Sequence, residues 1–165
     1  MKQKVSAGLL MYRMGSGKVE VFLAHPGGPF FKKKDQGCWT IPKGEIESAE
    51  DLLKAAIREF KEETGVEPVD PFLPLGKIIQ KSGKVVHAWA FEGRGDYTSE
   101  LNCQSTFTIE WPPRSGEFQT FPEVDRVDFF EIPAAKEKLM EAQHPFLDNL
   151  LIELQKMVSI PYKLF

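Results

Sequence analysis

The sequence predicts an α/β fold, a mixed β-sheet with helices packed against it. Three observations carry this. Short β-branched and aromatic runs lie on both sides of one amphipathic helix over residues 48–64. The chain then ends in helical patterning, where Phe146, Leu147, Leu150, Leu151 and Leu154 recur at helical spacing. Finally, no repeat, low-complexity run or long linker divides the 165 residues, so residues 1–165 read as a single domain. Strands, one helix, more strands and then helices is the order of a sheet with helices packed on it.

Taken in order, residues 5–12 are apolar and β-rich, Gly15-Ser16-Gly17-Lys18 turns the chain, and residues 19–24 return as the second strand of a hairpin. His25-Pro26-Gly27-Gly28-Pro29 breaks that strand, and a loop over 30–37 carries Lys32, Lys33 and Lys34. Residues 38–41 predict a short strand ended by Pro42. The helix is expected from about Ser48, with Glu50 and Asp51 in its first turn, where the dipole favours acids. Gly65 suits the residue that stops it. Strands are predicted over 75–80 and 84–91 around Ser82-Gly83, over 106–111 and over 127–132. Pro133 suits the start of a helix over 134–143, followed by a last helix over 146–158.

A hydrophobic fraction of 42% supplies a core, and a net charge of −3 supplies no basic bulk for nucleic acid, so no DNA partner is expected. No apolar run is long enough for a membrane span, and the N-terminus reads as a strand rather than a signal peptide. Cys38 and Cys103 are far apart without metal-type spacing. Reduced thiols and a cytoplasmic location are the resulting expectations. The oligomeric state stays open between monomer and homodimer.

The helix has a peculiar charge pattern. Residues 44–66 hold seven acids against three bases. At 100° per residue, with Glu59 at 0°, Glu62 falls at about 300° and Glu63 at about 40°, all on one face. Leu53, Ala56, Ile57 and Phe60 fall between about 60° and 160°, so the acidic stripe borders the core-facing one. A solvated acidic face would leave like charges at i,i+3 and i,i+4 repelling one another, and Arg58 alone cannot neutralise three carboxylates. A hard divalent cation with oxygen ligands resolves the repulsion.

The spacing is more specific still: Gly44, five residues, Glu50, seven residues, then Arg58-Glu59-Phe60-Lys61-Glu62-Glu63-Thr64-Gly65-Val66. This resembles the Nudix box, G-x5-E-x7-R-E-U-x-E-E-x-G-U with U a bulky apolar residue, at every fixed position. The resemblance implies an α/β/α sandwich and hydrolysis of a nucleoside diphosphate linked to another group, by water attack on phosphorus with Mg²⁺ or Mn²⁺. It implies Glu59, Glu62, Glu63 and the Gly44 carbonyl as metal ligands, Arg58 as the residue orienting the glutamates, Glu50 in the same network, and Glu62 or Glu59 as general base. Many family members add a downstream acid; Glu110 is the first candidate here and Glu123 the second.

Outside the box, Trp39-Thr40-Ile41-Pro42-Lys43-Gly44 resembles the W-x-x-P-K-G variant of dinucleoside polyphosphate and diphosphoinositol polyphosphate hydrolases. It implies that Lys43 contacts a distal phosphate. Lys33 from the lysine loop and Trp39 as a stacking surface complete the expected contacts with a nucleotide-type substrate. The glycines of the 25–31 stretch either turn the chain or let backbone approach a ligand. The expected activity is a Mg²⁺-dependent pyrophosphohydrolase, first of a dinucleoside polyphosphate. An NTP or NDP-sugar pyrophosphohydrolase, an RNA-decapping type and a non-catalytic nucleotide sensor are the alternatives.

Overall fold

A computed structural model describes residues 3–95, 97 and 101–158. The central sheet has the order β4-β5-β1-β2-β8, with β3 paired to β1. Its strands are β1 (Val5–Gly15), β2 (Lys18–Pro26), β3 (Lys43–Glu45), β4 (Leu73–Ile79), β5 (Val85–Glu92) and β8 (Val124–Glu131). The parallel β1–β5 pair is the mixed element; the other pairings are antiparallel. A separate two-stranded ribbon, β6 (Thr106–Glu110) with β7 (Phe118–Pro122), lies between β5 and β8 in the chain.

Side-chain alternation along β1 explains the layering. Ala7, Leu9 and Met11 point to one face, where they meet Ala55, Ala56 and Phe60 of helix α1 (Leu52–Thr64). Leu10 and Tyr12 point to the other, in one cluster with Ala135 of α2 (Ile132–Lys138) and Phe146, Leu147 and Leu150 of α3 (His144–Val158). With helices on both faces, the protein is an α/β/α sandwich. The leucine stripe expected at the end of the chain is thus the core face of α3, although Leu151 stays partly exposed.

Five elements differ from expectation. Helix α1 starts at Leu52: Asp51 is its N-cap, accepting from the Lys54 N–H at 3.1 Å, and Glu50 lies outside. Ala49 at φ 63° bends the chain before the helix, so no acid sits in the first turn. Residues 38–41 form only isolated bridges, Thr40 to Ala24 and Trp39 to Leu139. The helix expected over 134–143 ends at Lys138, because Leu139 turns extended beside Trp39; Trp39 N–H donates to Lys138 and Met140 N–H to Trp39. A 3₁₀ turn, Glu141–Gln143, follows. Strands β3 and β7 were not predicted. β3 is three residues long, and β7 is almost wholly exposed, so neither carries a hydrophobic period.

One arrangement matters most for the site. β1 pairs with β2 through residues 12–15 and with β3 through residues 6–8. Gly8 lies opposite Lys43, where a Cβ would come within 2.7 Å of both the Lys43 Cβ and the Pro42 carbonyl oxygen. The absent side chain lets β3 lie flat on the sheet, next to α1.

Candidate active site

The C-terminal half of α1 faces β3. Gly65, in left-handed conformation at φ 79°, ends the helix and donates to the Lys61 carbonyl at 2.8 Å. Immediately before this cap stand Glu59, Glu62 and Glu63. All three line a cavity of about 390 Å³ together with Lys43, Gly44, Glu45, Lys84, Ser105 and Glu123.

Arg58 is the organiser. Its Nε and Nη2 donate to the two carboxylate oxygens of Glu50, at 2.8 and 2.9 Å. Its Nη1 donates to Glu59 at 2.8 Å and to Glu62 at 3.3 Å. The fork geometry of a guanidinium permits this: one edge is anchored on Glu50 and the remaining donor is shared by two cavity acids. Arg58 holds the Glu50 carboxyl down to about 2, helped by the Glu47 backbone N–H.

The acids differ in exposure. The Glu62 side chain is 41% exposed and Glu59 12%, while Glu63 as a residue is buried. Burial, with the nearby Glu59 charge, pushes the Glu63 carboxyl up to about 8, while Lys43 and its N–H, 3.3 Å from Oε1, oppose the rise. Glu59 is also raised by burial, against the lowering effect of Arg58. The Lys43 ammonium is lowered, first by burial and then by Lys84. Gly44 has its own role in the packing: a Cβ there would lie 2.1 Å from the Glu59 carboxylate. Only glycine lets that carboxylate rest against the β3 backbone.

Hard oxygen donors from Glu59, Glu62, Glu63 and Glu123 beside the bare Gly44 backbone suit a divalent cation of the Mg²⁺ type. The repulsion between the buried Glu63 and its neighbour Glu59 would be relieved by one. Among the described residues, no three of the side chains close into a cage; they line the walls of the cavity.

The residues expected from sequence separate here. Arg58, Glu59, Glu62, Glu63, Gly44 and Lys43 come together. Glu110 does not: its carboxylate accepts from the Arg114 and Gly116 N–H groups, both at 3.1 Å, and so closes the turn at the end of the β6–β7 ribbon. Glu123, the second candidate, lines the cavity. It is set there by its N–H to Ser105 (2.9 Å) and by its carbonyl, which accepts from Gly27 (2.9 Å). Trp39 is not a stacking surface. It is 3% exposed, its indole N–H donates to Asp35 at 2.8 Å, and its ring packs edge-on to Phe130. Lys33 lines a different cavity. Lys84 was not anticipated. It reaches the acid cavity from the start of the β5 hairpin arm, 3.5 Å from Glu45, and a lone lysine after a Ser-Gly turn gives no sequence signal.

The family model of the NUDIX domain matches residues 2–150. The chain belongs to the NUDIX domain family. An asymmetrical bis(5'-nucleosyl)-tetraphosphatase of Caenorhabditis elegans is 41% identical over 61 residues, 37% of this chain and 40% of that protein. The chain thus spans less than half the length of this curated relative. Among solved structures, a C. elegans Ap4A hydrolase binary complex superposes with a TM-score of 0.64 at 23% identity, covering 92% of this chain and 98% of that one. The NUDIX domain of Shewanella oneidensis NrtR complexed with ADP ribose gives 0.66 at 16% identity, covering 93% and 90%. These likenesses establish the NUDIX fold. No helix among the described residues is long and apolar enough to cross a membrane.

Proposed function

We propose that this NUDIX chain is a divalent-metal-dependent pyrophosphohydrolase, and that its substrate is a dinucleoside polyphosphate. The observation that carries the reading is the convergence of Glu59, Glu62, Glu63 and Glu123 with Lys43 and Lys84 on one cavity. Carboxylates with two ammonium groups facing the same space suit a polyanion that arrives with a cation. Glu59, Glu62, Glu63, Glu123 and the Gly44 backbone would hold Mg²⁺ or Mn²⁺. When bound, such an ion neutralises pyrophosphate charge and makes water a stronger nucleophile.

The remaining work falls to the chain's own groups. Water attacks phosphorus, the bond to the leaving phosphate oxygen breaks, and a carboxylate takes the water's proton. Glu62 is assigned as that base: it is the most exposed of the three helix acids, and its bond to Arg58 is longer than that of Glu59. Arg58 fixes the Glu59 and Glu62 carboxylates in place. Lys43 and Lys84 contact the non-bridging and leaving oxygens as point charges. The similarity to a bis(5'-nucleosyl)-tetraphosphatase supports the substrate class. A nucleoside diphosphate sugar is the second reading, favoured by the fold neighbour that binds ADP ribose.

The test is turnover with Mg²⁺ of diadenosine tetraphosphate, the nucleoside triphosphates, ADP-ribose and UDP-glucose, with Glu62→Gln as control. Preference for the dinucleoside, lost in the variant, is the expected result. Preference for a triphosphate or nucleotide sugar overturns the substrate class and keeps the chemistry. Tight binding without turnover of any of them makes the protein a nucleotide sensor.

A further inference from the structure

The stretch from His25 to Lys34 is not used by the chemistry above, yet it is built with care. His25 is fully buried. Its Nδ1 lies 2.7 Å from the Asp125 carboxylate and its Nε2 2.7 Å from the Lys34 carbonyl. The ring thus bridges a carboxylate on one side and a backbone carbonyl on the other. One ring thereby fastens the end of the lysine loop to β8. Gly27 and Gly28 fasten its beginning. A Cβ on Gly27 would lie 2.0 Å from the Pro122 carbonyl oxygen, and one on Gly28, at φ 96°, 2.5 Å from the Phe107 ring. These glycines therefore serve packing on the β6–β7 ribbon.

Between the pinned loop and the ribbon is a second cavity, of about 640 Å³. Lys32, Lys33 and Lys34 line one side, and Phe30, Trp111 and Phe121 contribute aromatic surface. The Phe30 and Trp111 rings meet edge-on at 5.3 Å, and Phe30 remains 56% exposed. None of the three lysines has an ion-pair partner among the described residues; Lys34 lies 5.4 Å over the Phe31 ring. Asp125, the acid in this lining, is already engaged by His25. The cavity thus offers unneutralised cations beside one exposed and two partly exposed rings, the composition that takes a base together with phosphates. Pro122 and Asp125 line this cavity, and Glu123, between them in the chain, lines the acid cavity.

We propose that this cavity is a second substrate subsite, which takes the distal nucleoside–phosphate arm of a dinucleoside polyphosphate while its scissile pyrophosphate lies among the glutamates. The proposal rests on the substrate reading given above. The lysines hold the far phosphates, and the base stacks on Phe30 and Trp111.

The test is a titration of the protein with the non-hydrolysable methylene-bridged analogue of diadenosine tetraphosphate in Mg²⁺. Tryptophan fluorescence reads the stacking, and calorimetry reads the affinity. The expected result is a quench that disappears in Trp111→Phe. Affinity should fall about tenfold or more in the Lys32→Ala/Lys33→Ala double variant and about tenfold in Phe30→Ala. The four positions lie in the surface loop and the turn of the ribbon, and circular dichroism checks that each variant is folded. Affinity unchanged in both the lysine and Phe30 variants overturns the subsite, even if the wild type hydrolyses diadenosine tetraphosphate. Failure of the analogue to bind also overturns it. Lysine- and Phe30-dependent binding without any hydrolysis keeps the subsite and sinks the catalytic reading instead.

Discussion

The two cavities are built by opposite means. The acid cavity draws most of its wall from residues 43–63, a helix and a three-residue strand laid on the sheet. The lysine cavity draws on residues 28–34 and 111–125, a loop and an exposed ribbon some eighty positions further on. In the first, Glu59, Glu62 and Lys43 are partly buried, Glu63 is buried, and Arg58 ties Glu59 and Glu62 together. In the second, the cations are exposed and unpaired, and buried groups are used only to pin the backbone. A site whose groups must hold reacting atoms is placed on rigid elements, whereas recognition of a long flexible polyanion is left to loops.

Substitutions at the acid cavity should have the largest effects. If Glu62 takes the proton, Glu62→Gln lowers kcat by about 10²–10⁴-fold with little change in melting temperature, read by steady-state kinetics beside thermal denaturation. A loss under threefold would move the base elsewhere. Gly44→Ala comes next. Its Cβ would overlap the Glu59 carboxylate at 2.1 Å, so that carboxylate must move. A loss in turnover of about 10²-fold is expected, and a Mg²⁺ titration should show half-saturation at a higher concentration.

The lysine cavity responds differently. In Gly27→Ala the new methyl meets the Pro122 backbone oxygen at 2.0 Å, which cannot swing away as a side chain can. Stability should fall by about 1–3 kcal/mol in denaturant unfolding, with KM for a long substrate rising more than kcat falls. Equal losses in kcat and kcat/KM would mean that the loop supports the chemistry itself, and the contrast between the cavities would collapse.

The smallest effect is electrostatic. Glu50 is held at about 2 in the fold, below its ordinary 4.5. A depressed carboxyl contributes stability above the unfolded value, and that contribution is lost as pH falls from about 4.5 towards 2. Glu50→Gln should therefore be less stable than the wild type by about 1 kcal/mol at pH 7, after screening is allowed for, with the gap closing as pH drops through that window. Melting curves at pH 7, 4 and 2.5 measure it; a gap that persists at pH 2.5 would assign the effect to packing.

Local chemistry made much of the acid cavity legible in the sequence. Glu59, Glu62 and Glu63 share a face because a helix has 3.6 residues per turn, and Gly65 ends that helix because a left-handed cap needs no Cβ. The Arg58–Glu62 contact follows from i,i+4 spacing. The first-turn acids were misread for a physical reason: Asp51 serves as well outside the helix, as its N-cap, and Glu50 gains more from the Arg58 fork than from the dipole. Trp39 was misread because an indole suits a base stack and a core equally well, and only packing against Phe130 and Asp35 separates the two.

The sequence by itself determined the family, the layered α/β class and the acids of one helix face, since each is written within a few turns or strands of continuous chain. The tertiary structure alone decided that Glu123 rather than Glu110 joins them, that Lys84 faces them, and that the lysine loop meets Trp111 across a cavity. Those choices depend on how β8 and the β6–β7 ribbon return past the β2 edge. Pairing between segments a hundred residues apart is set by the packing of the whole sheet, and no spacing within either segment records it.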